Sequence, residues 1–89
     1  MTNSRMLTFE VVSEGDEIEI HADKQGMKDL IYYLKRMLDS KSKLPNHDHL
    51  MSNSWGGGEL TDDKQGEDNI LINKVTIRLW PVIEDNKNI

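Results

Sequence analysis

Eighty-nine residues, 36% of them hydrophobic and none of them cysteine, suffice for one core and no more, because a chain of this length buries only about 60 to 65% of the surface its unfolded form exposes. A formal net charge of -5 and a pI near 5.0 oppose the phosphate-driven attraction behind nucleic-acid binding and suit a basic protein partner. Without thiols there is no disulfide framework or thiolate zinc site. No apolar run approaches the roughly 20 residues of a membrane helix, and no apolar segment of secretory type follows residues 1–5, so the expected setting is the cytoplasm, with neither membrane nor nucleic acid as partner.

In chain order, residues 6–13 alternate, with Leu7, Phe9 and Val11 on one side and Thr8, Glu10 and Val12 on the other, the period-two pattern of a half-buried strand. Ser13-Glu14-Gly15-Asp16 supplies turn chemistry, and Ile18, Ile20 and Ala22 then alternate with Glu17, Glu19 and His21, which predicts an antiparallel hairpin. Asp23 is a candidate N-cap. After it Met27, Leu30, Ile31, Leu34, Met37 and Leu38 follow the i, i+3, i+4, i+7 spacing of one helical face, and the helix is expected to stop before Pro45.

Residues 44–69 change texture to Pro, Asn, His, Ser and Gly, with a short candidate strand at 49–52, and are expected to add little to the core. Alternation returns from Leu71. Asn73, Val75, Ile77 and Leu79 fall on one side, Lys74, Thr76, Arg78 and Trp80 on the other, and Pro81 closes the strand; residues 84–89 read as a frayed tail. The whole predicts a single α+β domain over residues 1–89: a four-stranded antiparallel sheet, ordered strand-strand-helix-strand-strand, with one long helix on its apolar face.

Residues 46–60 concentrate the candidate functional groups. His47 and His49 are two apart, so on an extended segment their imidazoles project together and Asp48 opposite; with a third ligand such as His21 or Glu59 this spacing would also fit a metal ion, against the alternative of structural histidines bonded to nearby groups. Trp55 beside Gly56 and Gly57 offers a large amphipathic contact surface on a backbone able to approach a neighbour closely, or else a tight turn with the indole covering the core. Glu59, Asp62, Asp63, Glu67 and Asp68 set five carboxylates against Lys64, a charge run that either steers a basic partner or is a solvated loop. The chain has no Gly-x-Ser-x-Gly elbow, no phosphate-binding Gly-Lys-Ser/Thr loop and no cysteine nucleophile, and carboxylates on an open loop lack the differential burial that acid–base pairs need. No enzyme is expected.

His47-Asp48-His49-Leu50-Met51, Ser54-Trp55-Gly56-Gly57, Glu59-Leu60-Thr61, Lys64-Gln65-Gly66 and Ile77-Arg78-Leu79-Trp80-Pro81 resemble immunity protein family thirty-two of bacterial polymorphic toxin systems. The likeness is strongest from about residue 46 to 81 and rests on element order before that. It implies a protein that binds a cognate toxin in the producing bacterium and protects it, with no reaction and no cofactor. On that basis the expected partner surface is His47, Asp48, His49, Trp55, Gly56, Gly57, Glu59, Asp62, Asp63, Glu67, Asp68 and Trp80, facing a toxin with a basic active-site surface. The alternatives are a small His-x-His metal-binding domain and a homodimeric interaction module, paired for instance through the last strand.

Overall fold

The computed structural model describes residues 5–40 and 46–81; the tail expected over 84–89 lies outside them. The elements are β1 (Leu7–Val11), β2 (Ile18–Ala22), α1 (Lys24–Leu38), β3 (Asn46–Met51), a 3-10 turn (Asn53–Trp55), β4 (Ile70–Ile72) and β5 (Lys74–Leu79). The hairpin forms as the alternation requires, with Leu7 opposite Ala22 and Val11 opposite Ile18. Asp23 caps α1, its Oδ1 accepting from the Gly26 N–H at 2.7 Å, and Lys35 and Arg36 occupy the last turn, where positive charge meets the negative end of the helix dipole.

The single four-stranded sheet is not what forms. β2-β1-β4 make a three-stranded antiparallel sheet, and β3-β5 make a separate antiparallel pair. The division falls at Asn73. Before it, Ile70 and Ile72 stand opposite Val11 and Phe9 on the apolar side of the first sheet; after it, Val75 and Ile77 pack on the core from the second. Core-facing parity thus passes from even to odd residues, and Leu71, opposite Glu10, lies on the face opposite to the one expected. Asn73 holds the offset with its own bonds: its carbonyl accepts from the Ser52 N–H at 2.9 Å, and its Oδ1 from the Ser52 hydroxyl at 2.7 Å.

The core is small: Leu7, Leu30, Leu50 and Leu60, flanked by Phe9, Ala22, Tyr33, Val75 and Ile77. Two of those four leucines come from residues 44–69, the segment expected to contribute little. Leu60 is drawn inside because the chain bonds back on both sides of it, from the Leu60 N–H to the Met51 carbonyl at 3.1 Å and from the Thr61 N–H to the Leu7 carbonyl at 2.8 Å. The helix is turned relative to its apolar stripe. Gly26, Leu30 and Met37 are buried, whereas Met27, Ile31, Leu34 and Leu38 are exposed, on a line about 100° further round the cylinder.

Candidate interaction surface

Ladder pairing builds the outer face of β3–β5. His47 lies opposite Arg78, His49 opposite Thr76 and Met51 opposite Lys74, so these side chains, with Trp80 two residues beyond Arg78, share the side turned away from the core. The two imidazoles stack edge to face, ring centroids 4.9 Å apart, and His49 Nδ1 is 2.9 Å from the Thr76 hydroxyl. Desolvation, then the positive charges of Lys74, His47 and Arg78, hold the His49 pKa below its ordinary value. This face is therefore cationic in a protein that is acidic overall.

Asp48 points the other way, as alternation requires. It accepts from Arg36 at 2.7 Å, and that guanidinium stands over the rings of Tyr32 and Tyr33 at 5.7 and 5.3 Å. Asp48 thus ties β3 to α1 and lies apart from the histidines.

Trp55 ends the 3-10 turn and is 58% exposed, and Trp80 is 65% exposed. Behind Trp55 the chain reverses at Gly56, whose φ of 88° is disfavoured for residues with a Cβ. Gly57 then passes so close to Met51 that a Cβ there would overlap the Met51 carbonyl. Glu59 is pinned beside it, accepting from the Met51 N–H at 3.1 Å; burial pushes its carboxyl up, but backbone hydrogen bonds from Met51 and Gly58 outweigh burial and lower its pKa. Asp62 accepts from the Ser54 hydroxyl at 3.1 Å. Asp63, Glu67 and Asp68 are exposed. The acidic run is thus two structural acceptors and three solvated carboxylates.

What the sequence conceals is the group that organises this run. Glu10, on the supposedly solvated side of β1, is fully buried along with Thr8. Its Oε2 accepts from the Thr8 hydroxyl at 2.6 Å and the Gln65 N–H at 2.8 Å; its Oε1 accepts from the Gly66 N–H and the Asn69 amide, each at 2.9 Å. Burial raises its pKa, and these bonds more than reverse the effect, bringing it to about 2. One ligand-type atom from each of Glu10, Glu19 and His21 also lies within 4.8 Å of the other two. Glu10, however, already spends all of its roughly four acceptor positions on donors, and Glu19 bonds His21 at 2.9 Å, so the trio is a hydrogen-bond hub. The third ligands suggested for the histidine pair, His21 and Glu59, are accordingly engaged elsewhere.

The profile of the family described as Immunity protein 32 matches residues 17–75, and the chain belongs to that family. No curated protein and no solved structure gives a match. Among the described residues no helix is long and apolar enough to cross a membrane.

Proposed function

We propose that the chain is an immunity protein that binds a cognate bacterial toxin and blocks its active site, and that it is not an enzyme. The observation that carries this reading is the exposure of Trp55 and Trp80, at 58% and 65%, one just past the Met51 end of β3 and the other just past the Leu79 end of β5. Tryptophan is enriched among residues that dominate binding energy, and leaving two in water has a cost that a partner would remove. On this reading Trp55, carried on the Gly56-Gly57 reversal, anchors one end of the contact. His47, His49 and Trp80 extend the contact along the sheet, Glu59 and Asp62 fix the loop, and Asp63, Glu67 and Asp68 steer a toxin with a basic active-site rim. Asp48 serves the surface only through its hold on Arg36. The producing cell's cytoplasm is the expected site of action.

The test pairs Trp55→Ala and Trp80→Ala with the cognate toxin. Both positions are exposed, so the variants should fold, and calorimetric titration should show affinity falling at least about tenfold for Trp55→Ala, with loss of protection on co-expression. Undiminished affinity in both variants would remove this face from the interface.

A further inference from the structure

The largest unexplained feature lies on the other side of the molecule. Along α1, Met27, Ile31, Leu34 and Leu38 are between 44% and 69% exposed, an apolar flank spaced 4, 3, 4 as in a helix-pairing seam. The opposite flank is tied down: Asp29 and Tyr33 bond Arg5, just before β1, and Arg36 bonds Asp48. On this flank Leu34 and Leu38, with Met37, line a cleft of about 250 Å³ against the Ile77–Leu79 end of β5. A second exposed apolar area lies on the first sheet, where Ile18 and Ile70 flank Val11 and are 59% and 64% exposed, with Ile20 at 47%.

The seven apolar residues of these two areas, each at least 44% exposed, together leave on the order of 700 Å² in water, close to the roughly 800 Å² each partner contributes to a stable interface. The charges beside the two areas are opposite in sign. Lys24, Lys28 and Lys35 are exposed along the top of the helix, and Glu14, Asp16 and Glu17 are exposed around the hairpin turn. We propose that the occupant is a second copy of this chain, related by a twofold axis. Two such areas on one molecule can be covered by its own image rotated by half a turn, the helix flank of each copy seating on the exposed sheet of the other. The same rotation sets the lysine rim of each copy against the acidic rim of its mate, the reciprocal contact an isologous dimer requires. The lysine stems would cover Ile18 and Ile70 while their ammonium groups reach the carboxylates.

This inference is independent of toxin binding and is tested without the toxin, by sedimentation equilibrium of the whole chain from about 1 µM to about 1 mM. The expected result is a dimer that Ile31→Glu and Leu38→Glu each weaken by about a hundredfold while the circular dichroism of the monomer is unchanged. A second pair of variants changes only exposed charge: Lys28→Glu with Lys35→Glu in one chain, and Glu14→Lys with Glu17→Lys in another. Each alone should dissociate, and an equimolar mixture should reassemble as a heterodimer because both junctions regain opposite charges. A monomer at every concentration would overturn the proposal, and if Ile31→Glu then also abolished toxin binding the helix flank would belong to the toxin. A dimer indifferent to Ile31→Glu and Leu38→Glu, or a charge-reversed mixture that stays monomeric, would overturn it too.

Discussion

Glu10 shows how one buried charge can fix a loop far away in sequence. The chain from Gln65 to Asn69 delivers three of its four donors, so the segment that carries the exposed acids is anchored by another acid. The consequence is a pH dependence with a definite sign. Unfolded, the carboxyl titrates near 4.5; folded, near 2. Its stabilisation is therefore complete above about pH 4.5 and is lost as the pH falls toward about 2, and the shift corresponds to about 3 kcal/mol. Glu10→Gln should lose stability of this order at pH 7, because an amide N–H₂ would then face the donors of the loop, and should flatten the fall in stability between pH 4.5 and 2 relative to the parent chain. Urea unfolding at pH 7, 4 and 2.5 measures both effects. Equal stability of the two proteins at pH 7 would show that the loop does not depend on this carboxylate.

Among the elements, α1 owes its position to its first residues. Asp23 accepts from Gly26, which holds the Asp23 carboxyl below the usual carboxylate range. The Asp23 N–H also bonds the Met6 carbonyl at 3.1 Å, so the cap joins helix to strand. Asp23→Ala should cost about 1 kcal/mol, read as a Tm about 4 to 8 °C lower for a domain of this size; an unchanged Tm would mean that packing alone fixes the helix start. This cap, the hairpin and the helix were legible in the sequence because each is a local pattern, and the shared side of His47 and His49 followed from alternation alone. Where long-range partners decide, the residues give no such signal. The parity change at Asn73 depends on Ser52. The burial of Thr8 and Glu10 depends on a loop some 55 residues on, and Leu60 enters the core through bonds to Met51 and Leu7. The six apolar helix positions were read as one face, yet the sheet beneath covers only the line through Leu30 and Met37. Within the candidate site, alternation put Asp48 on the side away from the histidines but could not show Arg36 waiting there, nor that Glu59 and Asp62 are held by backbone and hydroxyl donors while Asp63, Glu67 and Asp68 remain solvated.

Across the whole molecule the net charge of -5 is unevenly spread, and its distribution separates attraction from adhesion. Lys74 and Arg78 share the β3–β5 outer face with the histidines and Trp80, while the solvated acids stand on the loop beyond Trp55. On the proposed reading, contacts at the indoles would form only after collision and so govern how long a toxin stays bound, whereas solvated carboxylates would act across water and govern how often a productive encounter occurs. Replacing Asp63, Glu67 and Asp68 together by Asn, Gln and Asn should therefore slow association with a basic toxin by about tenfold at low salt and leave dissociation nearly unchanged. The difference should fade as salt rises past about 0.1 M, where the screening length shrinks to about 10 Å. Trp55→Ala should do the reverse, speeding dissociation at every salt concentration. Stopped-flow association and surface-plasmon dissociation rates, measured across a salt series, separate the two effects. If amidating the three acids changed the dissociation rate at high salt, those residues would be in direct contact with the toxin, and the steering role assigned to them would fail.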